Sequence, residues 1–430
     1  MLEDLDTNAY YAFGVPFYLG LMLIEQQLAR RRGLTVYRFA DTLGNFCAGL
    51  GEVTIGLFLG PVLLWLYDFG YLHLRLVTWP NASPVPWVLA FFVADFGYWA
   101  YHRAGHSVGM LWAVHGVHHQ SEELNFSVGT RHPWLSDTYA FVFYIPVPML
   151  GISSLQFFFA ISAISFYALL LHSKVLRWPS LFIFTTPQTH IVHHATNPRY
   201  IGKNLGAMFT LWDRCFGTYA EVEPADPPRL GTRAGYRSHD AALSQWLHVS
   251  DLLEMQRRAC CWQDKLRVWL KHPGWVPPGA LAPPRGPTAR PSSEIPPFTR
   301  RYAACQVGLT IAFAMAVLWL RERYALGLQV AAAALVLGST WSIGGLLDGR
   351  ERAVRHEQLR LLAALSLALV LGVSGGHGVL AFSTGAVSLL SWLSLLWAIA
   401  ETKGACPDVG VSACTSADGA LSRERHEQSS

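Results

Sequence analysis

Charge is what this chain has least of: 14% of its 430 residues are charged, against 52% that are hydrophobic. That balance excludes an intrinsically disordered chain, which needs low hydrophobicity and high net charge, and argues against a string of soluble domains. The formal net charge of +4 is too slight an excess for a nucleic-acid-binding surface. Cysteine is thin as well, and its seven copies form no CxxC pair and no regular spacing. Neither a zinc ribbon, a redox motif nor a disulfide scaffold is therefore expected. A Walker A loop and a dinucleotide fingerprint are both missing, so reducing power is not expected from a tightly bound nucleotide. Glu3, Asp4 and Asp6 stand where a signal peptide would carry positive charge, so the first apolar segment is expected to stay.

Long apolar runs are abundant instead. Ala9–Ile24, Leu43–Tyr67 and Val85–Tyr101 read as three membrane helices. Thr138–Leu171 is also apolar, but Pro146, Pro148 and Gly151 divide it into a helical hairpin. Ala303–Leu320, Ala325–Leu347, Leu359–Val373 and Val379–Ala400 follow a polar stretch and read as four more helices. Arg30, Arg31, Arg32 and Arg38 after the first helix predict a cytoplasmic side there and an outside N-terminus. Counting crossings then puts 102–137 and 174–301 in the cytoplasm. The expected fold class is all-α, a multi-pass integral membrane helix bundle with a cytoplasmic, histidine-rich di-metal site. Its expected divisions are a core over 1–220, a proline- and glycine-rich linker over 221–300 with one interfacial helix within Ser244–Leu270, a four-helix unit over 301–400 and a disordered tail over 401–430.

Histidine is the second excess, with 17 copies. His102 and His106 are four apart, His115, His118 and His119 fall at i, i+3 and i+4, and His190, His193 and His194 repeat that spacing. On helices each cluster faces one way. Eight neutral imidazoles gathered at one end of a bundle serve no purpose without a cation, and imidazole suits iron, zinc and copper. His172, at the end of the hairpin, is a candidate ninth ligand, and His132 a further one. Asp95 lies seven residues before His102 in an apolar run and is expected to accept a proton from a ligand histidine. Asp213, Asn204, Glu122 and Asn125 are further supporting candidates. A metal-ion transporter is the rival from another class, but it calls for more ionisable residues along the spans than Glu25, Glu52 and Asp95.

The order HxxxH, HxxHH, HxxHH among membrane helices resembles the fatty acid hydroxylase and sterol desaturase superfamily. Within it, the segments Asp95–Arg103, His115–Glu123, Leu171–Lys174, Thr186–His194 and Leu211–Tyr219 look like the alkylglycerol monooxygenase family, as do Lys271–Trp275 and Trp341–Arg350. The resemblance implies two iron ions, dioxygen as oxidant, tetrahydrobiopterin as reductant, and cleavage of an ether lipid to a fatty aldehyde and glycerol. It implies a bilayer-embedded enzyme of the endoplasmic reticulum in a eukaryote or of the inner membrane in a bacterium. Trp112, Phe126, Trp134 and Trp212 are the aromatic candidates for stacking on the pterin. Hydroxylation or desaturation of a sterol, fatty acid or carotenoid with a separate redox partner is the rival within the same chemistry.

Overall fold

A computed structural model describes residues 7–179, 181–236, 238–279, 295–373 and 378–404. Every regular element among them is helical, apart from two isolated bridges, Phe184 with Phe209 and Ala195 with Leu230. The first half holds α1 (Thr7–Arg31), α2 (Phe39–His73), α3 (Val85–Ser107), α4 (Gly109–His115), α5 (Phe126–Gly129), α6 (Ser136–Tyr144), α7 (Pro146–Met149) and α8 (Ser154–Leu170). Then come α9 (Pro187–His193), α10 (Leu211–Cys215), α11 (Ala241–Arg258), α12 (Trp262–Leu270), α13 (Pro297–Leu320), α14 (Leu326–Leu347), α15 (Ala353–Val373) and α16 (Gly378–Gly404). Each apolar run of the sequence becomes a helix. Four among the described residues, α2, α13 with its extension to Arg323, α14 and α15, are long and apolar enough to cross a membrane. The linker at 280–294 and the expected disordered tail beyond Gly404 lie outside the described residues.

The hairpin breaks where proline and glycine fall. Gly151 takes φ +74, and a Cβ there would stand 2.2 Å from the Val77 carbonyl oxygen, so only glycine fits the turn. Ser153 and Gln156 then close a capping box that starts α8. Small residues let these helices approach: Ala90 and Ala94 of α3, Ala140 of α6 and Ala160 of α8 are buried in one apolar core with Tyr67 and Phe157.

Two compact units are present, one spanning Met1–Arg360 and one from Leu361 onward. Within the first, α14 packs on α2 and α13, and Leu43, Cys47, Val307 and Ile343 share a core. In the second, Gly372 faces Ala381 and Gly385 faces Ala368, the close small-residue packing usual between membrane helices.

The single interfacial helix expected within 244–270 is two helices, α11 and α12, separated at Ala259–Cys261. Both pack on α4. Asp240 caps α11 at Leu243 N (2.9 Å) and pairs with Arg350 (2.7 Å), while Asp348 accepts from Ser238 Oγ and His239 N. The end of α14 therefore sets where α11 begins. Gly116, just after α4, has no room for a side chain, because a Cβ would lie 2.7 Å from His248 Nε2 of α11.

Candidate metal centre

Four helix ends converge on one place. α3 brings His102 and His106, α4 ends on His115, a 3-10 turn carries His118 and His119, α8 runs out at His172, and α9 with its C-cap supplies His190, His193 and His194. The nine imidazoles divide into two groups that can each hold a metal ion. The first is His102, His106, His115, His119 and His193; the second is His118, His172, His190 and His194. Within a group, one ring nitrogen of each residue lies within 4.8 Å of all the others.

This corrects the expectation that each cluster faces one way. The i, i+4 pairs 102/106, 115/119 and 190/194 stay together, as stacked positions on a helix should. The middle histidine of each triplet, His118 or His193, goes to the opposite group. For His118 the helical period does not carry through, because α4 stops at His115 and the next residues form a 3-10 turn; His193 parts from His190 within α9, where the third position on is turned by about 60°. His172 joins the second group, whereas His132 is in neither: it is exposed, with its ring 6.0 Å from that of His118.

The nitrogen geometry fits a cation. His102 Nδ1 lies 2.7 Å from Leu205 O, His118 Nδ1 3.1 Å from Arg131 O, His172 Nδ1 3.0 Å from Ala168 O and His193 Nδ1 3.1 Å from Lys203 O. A carbonyl can only accept, so each Nδ1 carries the proton and each Nε2 presents a lone pair. In the second group Nε2 atoms face one another: His118 to His172, His190 to His172 and His194 to His190, each at 3.1 Å. In the first group His102 and His119 approach His115 Nε2 at 3.0 and 3.1 Å. About 3 Å is the spacing of neighbouring donors at right angles around a metal with bonds of ~2.1 Å. His106 Nε2, His193 Nε2 and His190 Nδ1 are buried with no hydrogen-bond partner among the described residues. Burial, reinforced by neighbouring imidazoles, holds His115, His118, His119, His190, His193 and His194 well below the usual histidine pKa, and burial pushes His172 down to about 3. The cluster is therefore neutral at pH 7, the state that ligates.

Support comes mainly from backbone. Asp213 accepts from Leu205 N (2.9 Å), Gly206 N (2.8 Å), Trp99 Nε1 (3.2 Å) and Thr218 Oγ1 (2.6 Å), and so fixes the peptide whose carbonyl orients His102. Asn204 donates to Thr189 O and Ala220 O at 2.8 and 2.7 Å, tying α9 to the following loop. Asp95 does not reach a histidine. Seven helical residues span about 10 Å, too far for its carboxylate to meet His102. It accepts instead from Met208 N (2.8 Å) and Trp212 Nε1 (2.9 Å), pinning the same loop. Asn125 caps α5 by accepting from Ser127 N and donates to Val36 O, and Glu122 is half-buried beside Gly231; neither is in a histidine group.

Three participants left no clear signal in the sequence. Arg131, 1% exposed, donates to Val117 O (2.9 Å), Gln120 Oε1 (2.8 Å), Ser244 Oγ (3.1 Å) and Asn45 Oδ1 (3.2 Å), clamping the turn that bears His118 and His119. Glu123 pairs with Arg38 (2.6 Å) and Lys174 (3.0 Å), joining the segments either side of the centre. His248 is buried with its ring 5.6 Å from Trp112.

Of the four aromatic candidates, Trp112 alone lines the cavity of about 290 Å³ beside the first group, with Arg233, Tyr236, His248 and Asp251. Its ring centroid is 5.1 Å from His106 and 5.5 Å from His119. Phe126 is buried against Tyr18, Trp134 donates to Ala48 O on α2, and Trp212 serves Asp95, so these three act in packing.

Residues 87–218, which hold all nine histidines, match the family model "Fatty acid hydroxylase". Alkylglycerol monooxygenase of Homo sapiens is 29% identical over 83% of this chain and 82% of its own, and that of Danio rerio 27% over 93% and 90%. An ornithine lipid hydroxylase of Rhizobium tropici is 30% identical over 52% of this chain and 72% of its own. No solved structure matches the chain. The likeness extends far beyond the matched segment in both directions, and the chain belongs to the fatty acid hydroxylase family, as a membrane oxidoreductase.

Proposed function

We propose that the chain is a di-iron monooxygenase that cleaves the ether bond of alkylglycerols with dioxygen and tetrahydrobiopterin. The observation that carries this reading is the pair of histidine groups with opposed Nε2 lone pairs, in a chain similar over most of its length to alkylglycerol monooxygenases. His102, His106, His115, His119 and His193 hold one ion, and His118, His172, His190 and His194 the other. Two six-coordinate ions offer about twelve positions, so nine histidines leave about three for dioxygen, water or a bridging ligand. Iron bound there supplies dioxygen activation, with tetrahydrobiopterin as the source of electrons.

The overall reaction balances. One oxygen atom enters the C–H bond beside the ether oxygen, and the other leaves as water with two electrons and two protons from the pterin. The hemiacetal so formed breaks its C–O bond to the glycerol oxygen, giving a fatty aldehyde and glycerol.

The chain's own residues hold and shield the centre. The carbonyls of Leu205, Arg131, Ala168 and Lys203 hold the Nδ1 protons, so that each corresponding Nε2 would be free to ligate iron. Trp112 would offer a flat face to the pterin in the cavity of about 290 Å³, which Asp251 also lines. α11 and α12 cover α4 and keep bulk water away. The arginine bias puts this side in the cytoplasm, in the endoplasmic reticulum membrane of a eukaryote or the inner membrane of a bacterium.

Likeness to the ornithine lipid hydroxylase favours a second reading, hydroxylation of a lipid chain without cleavage. Product analysis of purified protein given an alkylglycerol, iron and oxygen separates them. Fatty aldehyde and glycerol formed with added tetrahydrobiopterin support the first reading. A hydroxylated lipid formed with a cytochrome and its reductase, and no turnover with the pterin, overturns it.

A further inference from the structure

A second cavity, of about 880 Å³, lies on the other flank of the centre. Its walls are α1, α2, α13 and α14, with Phe166 and Leu169 of α8, and they are almost wholly apolar. Along α2 it runs from Phe46 to Leu57, about 16 Å at the helical rise. One end meets the histidine-bearing segment: Thr130 and His132 line it, and the His132 ring is 6.0 Å from that of His118. Gly49 of α2 abuts there, since a Cβ on it would lie 2.8 Å from Thr130 O. Glu52, less than one turn further on, lines the same end and makes no hydrogen bond among the described residues. A carboxyl facing an apolar space inside a membrane bundle is costly unless something polar comes to meet it.

We propose that this cavity holds the hydrocarbon chain of the lipid substrate, with the oxygen-bearing end turned toward Glu52 and His132, and that α13 and α14 set which chain lengths fit. The proposal rests on the lipid monooxygenase reading. Shape and chemistry select one occupant: a half-open, apolar space between membrane helices suits a single saturated chain, and of its polar lining Glu52, Thr130 and His132 stand by the histidine-bearing segment, whereas Gln329, beside Arg321, donates to main-chain carbonyls. Most of the wall lies outside residues 87–218. The segment that matches the family carries the histidines, while Met315, Leu318, Ala333 and Val336 carry the measure of the chain.

The test begins with labelling that needs no turnover. A 1-O-alkylglycerol carrying a diazirine at the end of its chain is photolysed with the purified, full-length protein, and the labelled peptides are mapped by mass spectrometry. Label on α13 and α14 at positions facing the cavity supports the proposal. Label confined to exposed faces, such as Leu326 and Val330, overturns it. In turnover, Ala333→Phe and Met315→Trp should lower kcat/KM for a hexadecyl substrate relative to an octyl one about tenfold or more, while Val330→Phe leaves the ratio unchanged. An unchanged ratio in folded Ala333→Phe and Met315→Trp protein overturns it as well. Cavity labelling without any ether cleavage would refute the ether-cleavage reading and leave the chain site standing. Cleavage with label elsewhere would do the reverse.

Discussion

His118 and His172 oppose each other Nε2 to Nε2 at 3.1 Å, while the Nδ1 of each is committed to a main-chain carbonyl, Arg131 O and Ala168 O. Two lone pairs held at that distance in a buried site repel unless a cation lies between them. The arrangement sets His172, alone in its stretch of sequence, in a group with His118, His190 and His194 that could hold a metal ion.

His172→Ala should therefore lose one metal ion, from about two per chain to about one, and lower turnover by roughly a hundredfold or more. His132→Ala should keep both ions. Element analysis of the two purified variants reads the difference. Full metal content in His172→Ala would remove it from the ligand set.

Asp213→Ala should loosen the first group without touching a ligand. It frees Leu205 N and Gly206 N and with them the carbonyl that orients His102, so metal affinity should fall roughly 10- to 100-fold. Asp95→Asn, which keeps an acceptor for Met208 N, should cost less. Metal retention against a graded chelator compares the two, and equal retention in Asp213→Ala and the unmodified protein would contradict the role given to Leu205.

Arg131→Ala removes the donors to Val117 O, Gln120, Asn45 and Ser244 in a fully buried place. At about 1–3 kcal/mol for each buried group left unpaired, a loss of ~3 kcal/mol or more is expected. Arg131→Lys should recover part of it, since an ammonium replaces the charge but not the fork. Thermal unfolding of the two variants gives the ordering, and an unchanged Tm in Arg131→Ala would contradict it.

The sequence made the helices and the eight clustered histidines legible for plain reasons. Apolar runs of membrane length leave the backbone no alternative to a helix, and i, i+4 pairs share a face. The spacing alone hides the division into two groups, because α4 ends at His115 and, in α9, His193 is turned by about 60° from His190. The groups that orient the imidazoles, at Leu205, Lys203, Arg131 and Ala168, are main-chain carbonyls, which no side-chain pattern marks. Asp95 and His102 share a helix face, but two turns of α3 keep them apart. Within Trp341–Arg350, Asp348 and Arg350 hold the start of α11, the helix that packs on α4.

Sidedness can be read from cysteines already present. Cys260 and Cys261 are exposed between α11 and α12, on the side of the histidines. In sealed membranes an impermeant maleimide should reach them from the cytoplasmic face, as the arginines after α1 require. Reaction from the opposite face alone would put the centre out of reach of a cytoplasmic reductant.

X-ray absorption combined with element analysis on active, detergent-purified protein decides whether nine histidines hold two ions. About two iron ions per chain with nitrogen donors at ~2.1 Å are expected. Full ether-cleaving activity in protein that carries at most one metal ion per chain, or iron bound without imidazole nitrogen, would contradict it.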